Sequence, residues 1–356
     1  MPDRKLRKVF IVGATGLVGS ALSARLITDG CQVLAGTHRV RRVSIAADDW
    51  VRIDMQAMTS AADWLPLLKD VDAVVNCAGI LQDGGGEATA DVHHAGPAAL
   101  FSACEQAGVR RVIHVSAIGV NHEQPTAFSE SKARGDAALA RNLDWVILRP
   151  SVIVGRAGYG GSALFRALAA LPVLPAMPDA GELQVVQLDD VVTTVLFFLR
   201  ADAPTKLELD LAGPERLSFE NVVAAYRSWL GHAPARLIRA PNWAMRAAYR
   251  AGDLAGHLGW RPPIRTNARL EIVRGATGDP EPWMRLTGIE PSGLREALRR
   301  EPCTVQERWF AHAAADNQPL PAEYHKLFWT WFVFGFPAFG AALTIFWLMM
   351  AKPQLW

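Results

Sequence analysis

The chain has 356 residues, half of them apolar and a fifth charged, with a formal net charge of +2. That length accommodates one large domain or two smaller ones. Near-neutral charge argues against nucleic-acid binding through a global basic field, and four scattered cysteines (Cys31, Cys77, Cys104, Cys303) with no CxxC pair argue against a metal knuckle or disulfide framework.

The first element is expected near residue 8, which leaves no room before it for a signal or transit sequence and points to a reducing, cytoplasmic setting for the folded part. The basic cluster Arg4, Lys5, Arg7 and Lys8 reads either as a solvated terminus or as a contact for anionic lipid. Lys8-Val-Phe-Ile-Val12 is an apolar, β-branched strand leading into Gly13-Ala-Thr-Gly16-Leu-Val-Gly19. An amphipathic helix follows from Ser20 to Asp29 and ends at Gly30. A glycine loop between strand and helix is the context that gives a GxxGxxG string its meaning. Gly13 permits the tight turn, Gly16 lets backbone approach a pyrophosphate, and Gly19 lets the helix pack on the strand. The phosphates would rest on the free N–H groups and dipole of the helix start.

Gln32–Gly36 predicts the second strand. NAD-selective proteins carry an acidic residue at its end; here the residues are Thr37, His38 and Arg39, with Arg41 and Arg42 beyond. A guanidinium suits a 2′-phosphate through paired charge-assisted bonds, so NADP(H) is expected over NAD(H). Further strands are expected at Trp50–Asp54, Asp72–Gly79, Arg111–Ser116 and Asp144–Arg149, with helices around 97–107 and 130–141. The alternation predicts an α/β, doubly wound parallel sheet of Rossmann type. Its ligand crevice lies outside the strands' carboxyl ends, where Asp54, Asn76–Gly79 and Ser116 fall.

The strings GATGLVG at 13–19, VNCAG at 75–79, HVSAIG at 114–119, SKARGD at 131–136 and LRPSVIVG at 148–155 resemble the short-chain dehydrogenase/reductase superfamily in its extended and atypical branches. The resemblance runs over residues 8 to 230 and more loosely to about 312. Within it, the sequence looks most like the nucleotide-binding accessory subunit of respiratory complex I and its bacterial relatives. The resemblance implies that Gly13, Thr15, Gly16, Leu17, Val18 and Gly19 cradle the pyrophosphate, and that Thr37 and Arg39 meet the 2′-phosphate end. It also implies that Asp54 and Met55 flank adenine, that Cys77, Ala78 and Gly79 line the ribose, and that Lys132 and Pro150 border the nicotinamide ribose and ring. The family's catalytic set is a serine followed by Tyr-x-x-x-Lys. Ser116 and Lys132 are present, but Phe128 stands where the tyrosine belongs. Loss of a positioned acid or base is worth about 10²–10⁴ in rate. His114, His122 and Tyr159 are the titratable neighbours in sequence. His114 alternates with apolar strand residues and reads as a satisfied core group, and Tyr159 lies in a glycine-rich loop able to close over the nicotinamide.

From 156 to about 312 a smaller α/β lobe is expected to cover the cofactor. Asp189-Asp190 would cap a helix running to Leu199, and Phe219–Leu230 would form a second helix stopped by Gly231. Trp243, Trp260 and Trp283 either line a quinone-like or lipid-like pocket or fill the core. No metal-spaced cluster appears. Residues 313–326 read as a linker. Residues 327–351 carry no charge and as a helix would extend ~37 Å at ~1.5 Å per residue, enough to cross a ~30 Å hydrocarbon core. Tyr324, Trp329 and Trp331 at one end and Trp347 and Trp356 at the other resemble interfacial aromatic belts, with Lys326 and Lys352 at the edges. This segment also resembles the end of a family of bacterial integral-membrane proteins. The whole reads as a Rossmann domain over 1–155, the covering lobe, the linker and one C-terminal transmembrane helix, with the folded part on the cytoplasmic side. The expected partners are the bilayer, a respiratory or other membrane complex, or a quinone-like molecule.

Overall fold

The computed structural model describes residues 7–38, 47–80, 88–120, 126–139, 142–155, 160–177, 179–238, 242–257 and 266–301, with positions 322, 325, 326 and 329 beyond them. The chain divides into two compact units, Met1–Glu301 and Pro302–Trp356; the fold below is that of the first.

Strand β1 (Lys8–Val12) leads into helix α1 (Leu17–Thr28), β2 (Gln32–Thr37) and β3 (Asp49–Arg52). Helix α2 (Ala61–Trp64) precedes β4 (Ala73–Asn76). A π-helical turn (Asp91–Ala95) runs into α3 (Gly96–Ala107), followed by β5 (Arg111–Val115), α4 (Ala127–Ala137) and β6 (Asp144–Pro150). The remaining elements are β7 (Ile153–Val154), α5 (Gly160–Ala169), β8 (Val173–Pro175), β9 (Val186–Gln187), α6 (Leu188–Leu199), β10 (Leu207–Leu211), α7 (Phe219–Trp229), β11 (Arg236–Ile238), α8 (Asn242–His257), α9 (Thr266–Arg274), α10 (Glu281–Thr287) and α11 (Leu294–Arg299).

Seven strands form one parallel sheet in the order β10-β6-β5-β4-β1-β2-β3. β1, β4 and β5 are mostly apolar and nearly every residue in them is buried, as a sheet covered on both faces requires. One face packs against α1 and α6 through Leu22, Leu26, Val191, Val195 and Phe198. The other packs against α2 and α3 through Trp64, Leu100 and Phe101. Strand order reverses between β1 and β4, which places the switch-point crevice beside the glycine loop and the ends of β4 and β5. A third core, with Phe165, Phe219, Tyr226 and Leu298, belongs to the smaller lobe, where β7 pairs with β9 and β8 with β11.

Several boundaries differ from the sequence reading. The third strand ends at Arg52, leaving Asp54 in the following turn. α4 starts at Ala127, capped by Thr126, whose hydroxyl accepts from Ser129 N. Asp189 and Asp190 do not cap α6. Gln187 takes that position without a side-chain bond, and the two carboxylates lie in the first turn, where negative charge suits the helix dipole. Trp283 lines no pocket: it is fully buried in the main core, and its indole N–H donates to Thr194 Oγ1. Trp243, by contrast, is exposed. Trp260, the 313–326 linker and the 327–351 span lie outside the described residues apart from the isolated positions above. Among the described residues no helix is long and apolar enough to cross a membrane, and no group of His, Cys, Asp or Glu is arranged to hold a metal.

Candidate dinucleotide site

The glycine loop is held from both sides. Gly13 N and Ala14 N donate to Gly36 O, and Gly16 N turns back to Gly13 O. Gly13 has φ +80°, and a Cβ there would come within 2.8 Å of Ala78 N, so the loop is pressed against the end of β4. A Cβ on Gly19 would come within 2.3 Å of Gly13 O, which explains how α1 starts so close to the strand. Gly16 caps α1 with no side-chain bond, and the first turn, containing Leu17, Val18 and Gly19, carries no acidic residue. An uncapped helix start of this kind accepts an anion.

Thr15 and Thr37 meet at 3.1 Å between hydroxyl oxygens, joining the loop to the end of β2. Arg39, Arg41 and Arg42 lie outside the described residues, as do His122 and Tyr159. Asp54 accepts from Gln56 N through its carboxylate. Met55 is buried in the core beneath α3. At the end of β4, Asn76 Oδ1 accepts from Ala78 N. Half-buried Cys77 has its thiol pushed up to about 12 by desolvation, with Lys132 opposing, so it stays protonated. Pro150 ends β6, and its carbonyl accepts from Ile118 N.

Helix α4 brings Phe128 and Lys132 onto the same side, one turn apart. Lys132 is 4% exposed, and its ammonium donates to Val115 O at 3.1 Å. Burial pushes it down to about 8 despite the opposing attraction of Asp136 and Cys77. An ammonium has three protons to donate; Val115 O is the one acceptor that the described residues supply. A Cβ added to Gly79 would lie 3.3 Å from Lys132 Nζ and 3.8 Å from His93 Nε2, so both groups border the backbone expected along the ribose. Ser116 Oγ is buried without a full hydrogen bond among the described residues. These underused polar groups, beside an uncapped helix start, fit a dinucleotide with its ribose hydroxyls at Lys132.

Phe128 packs edge-on against His93, with ring centroids 5.4 Å apart. His93 sits in the π-helical turn, a distortion that recurs at functional sites. Ser131 donates to Phe128 O, so His93 Nδ1–H donates to Ser131 Oγ, while Nε2 accepts from Ile80 N. Both ring nitrogens are thus committed in the neutral form. Burial, then the charges of Lys132 and His114, push His93 down to about 2. Gly135 lets α4 approach: a Cβ there would strike His93 O at 2.0 Å.

Beneath the site runs a buried polar chain. Asn76 Nδ2 donates to His114 Nδ1 at 3.2 Å, which turns the Nε2–H of His114 toward Asp136 Oδ1 at 3.4 Å, within ion-pair range but long for a full bond. Asp136 Oδ2 receives Arg149 through Nε and Nη2, and Arg149 Nη1 continues to Glu208 at 2.8 Å. Burial raises the Asp136 carboxyl, but His114, Ser116 and Arg149 together hold it below its usual range. Burial also lowers His114, outweighing Asp136. His114 is a buried core group, as its strand position suggests, but only its Nδ1 is hydrogen-bonded; Nε2 and Asp136 Oδ1 face each other without a full bond among the described residues. His93 and the pairing of Asp136 with Arg149 were not anticipated. The only signals for them were the His-His pair after a glycine run and the charges inside SKARGD and LRPS.

Comparison with known proteins agrees with this geometry. A family model described as NAD(P)H-binding matches residues 13–164, and one described as a predicted integral membrane protein matches 303–353. An uncharacterised Mycobacterium tuberculosis protein is 27% identical over 220 residues; the match takes in 61% of this chain, which spans only 23% of that protein's length. The sterol demethylase protein B of Methylococcus capsulatus is 26% identical over 84% of this chain and 98% of its own. Among solved structures, MoeE5 in complex with UDP-glucuronic acid and NAD superposes with a TM-score of 0.63 at 18% identity, over 86% of this chain and 99% of its own. WbmG of Bordetella bronchiseptica with NAD gives 0.63 at 16%, over 84% and 94%. The chain has a Rossmann-type parallel α/β fold, and residues 13–164 of it match the NAD(P)H-binding family model.

Proposed function

We propose that the chain is a membrane-anchored NADP(H)-binding protein that holds its dinucleotide without tyrosine-dependent proton transfer, in an accessory or redox-sensing role beside a membrane complex. The observation that carries this reading is the environment of Phe128. The position offers hydrocarbon packed on a neutral His93 whose two nitrogens are already bonded. Ser116 can bond a carbonyl but does not titrate near neutrality, and Cys77 stays protonated. When bound, the reduced coenzyme supplies a hydride. What the chain adds is a grip: the uncapped α1 start for the diphosphate, Lys132 for the ribose, and Arg39 for a 2′-phosphate. The preference for NADP rests on Arg39, Arg41 and Arg42 standing after β2 in place of an acidic residue, and the named neighbours were solved with NAD. The anchor rests on the uncharged 327–351 stretch and the integral-membrane description of 303–353. The accessory role rests on the likeness of the motifs to the complex I subunit. Purified full chain should show a raised melting temperature with NADPH, by about 2.7 kcal/mol of stability at ~100 Kd, and negligible NADPH oxidation with carbonyls or quinones. No shift with any nucleotide would refute the reading.

One observation favours a second reading, an active oxidoreductase on a lipophilic substrate such as a quinone or sterol. Lys132, held near 8, is a group able to deliver a proton at physiological pH in the absence of the phenol. The near full-length likeness to a protein named for sterol demethylation supports the substrate class. Steady NADPH oxidation with such a substrate, abolished in Lys132→Ala and falling as pH rises through about 8, would favour it over the first.

A further inference from the structure

β11 and the outer face of α8, three residues apart in the chain, each expose large apolar side chains. In β11 every residue is exposed: Arg236, Leu237 at 56% and Ile238 at 42%. Its partner strand adds exposed Val173, with Leu171 just before it. After three intervening residues α8 begins. Trp243 is 73% exposed, and Leu254, eleven residues on, is 63% exposed. At 3.6 residues per turn those two positions lie on one face, together with exposed Ala247 and Arg250, with Arg246 beside them. Tyr249 faces inward. A tryptophan and a leucine on an outward face set with arginines do not suit a water-facing helix. They suit one lying in a headgroup layer, its apolar side chains dipping inward and its guanidiniums at the phosphates.

We infer that β11 and the outer face of α8 dock on an anionic bilayer surface. The occupant follows from the chain itself. The segment described as integral membrane begins at 303, within two residues of the end of the folded unit, so a tethered domain meets lipid headgroups at high effective concentration. The arginines complement anionic lipid, and the exposed apolar groups need a partner other than water. This inference rests on the membrane reading of the C-terminal segment, and the test separates the two.

Full chain is reconstituted into vesicles of phosphatidylcholine alone or with about 30% phosphatidylglycerol, and hydrogen exchange is followed for peptides covering residues 236–257, with the buried α7 as reference. Exchange in 236–254 should slow at least tenfold in the anionic vesicles relative to detergent, and much less in neutral ones. Arg246→Glu with Arg250→Glu should remove the protection, at about fivefold per arginine. Chain that stays with the vesicles after carbonate washing but shows equal exchange in all settings would overturn the docking face and leave the anchor standing. Protection in anionic vesicles combined with release by carbonate would support the face and remove the anchor. Protection that follows protein concentration rather than lipid charge would assign the face to a second copy and overturn the inference.

Discussion

Replacing Lys132 with methionine should alter the pH dependence of stability by an amount that follows from its burial. The ammonium's pKa falls from its ordinary 10.5 to about 8 in the fold. Between those values the unfolded chain binds the proton and the folded chain does not, so stability rises with pH across that window. At pH 7 the charged form costs about 3 kcal/mol, at ~1.36 kcal/mol per pKa unit; by pH 9.5 this has shrunk to about 1.4. Wild type should therefore gain about 2 kcal/mol on the methionine variant between pH 7 and 9.5. For a folded unit of about 300 residues, at ~2.1 cal/mol/K per residue, that is about 3 °C. Melting curves of both chains in mild detergent, without nucleotide, give the difference directly. A melting-temperature difference that stays flat from pH 7 to 9.5 would refute the reasoning, because the lysine would then be solvated and not poised at the ribose. The methionine variant should also lose most of the nucleotide-induced shift, since its side chain cannot donate to the ribose hydroxyls.

Gly16→Ala should keep the melting temperature within about 1 kcal/mol of wild type, because its Cβ would meet only Gly13 O at 3.2 Å. It should nonetheless lose nucleotide retention; an unchanged NADPH-induced shift would place the diphosphate elsewhere. Gly19→Ala should lose stability as well, by about 1–3 kcal/mol, through its clash with the Gly13 carbonyl. Phe128→Tyr should gain NADPH-dependent reduction of a small carbonyl by at least ~10² over wild type, monitored at 340 nm; no gain would mean that more than the phenol is missing. Arg149→Met leaves Asp136 buried without its main partner and should cost about 3–5 kcal/mol, so a melt within experimental error of wild type would contradict the buried ion pair.

The glycine loop and the parallel sheet were legible because each carries a local signature: a strand of continuous apolar residues, glycines at fixed offsets, and a helix with a glycine stop. Phe128 was legible because its neighbours keep their spacing to Ser116 and Lys132. His93 was not, since a π-helical turn has no sequence period of its own and its tautomer is set by Ser131 and Ile80 from other segments. The Asp136–Arg149 pair joins a helix to a strand end, and charge alone does not reveal such a partner. Trp283 is a different case: an isolated tryptophan fills a core more often than it lines a pocket, and its full burial and bond to Thr194 bear out the core reading. The smaller lobe was read loosely because its strands are two or three residues long and its order depends on tertiary contacts such as Gln184 with Gly213 and Gly278.

The central claim, a retained dinucleotide beside a position that supplies no proton, is tested most directly by extracting the full chain in mild detergent and assaying the bound nucleotide and its fate. Close to one NADP(H) per chain, its reduced form persisting when carbonyls and quinones are added, is the expected result. Protein free of nucleotide that NADPH fails to stabilise, or bound NADPH consumed at enzymatic rates, would contradict it.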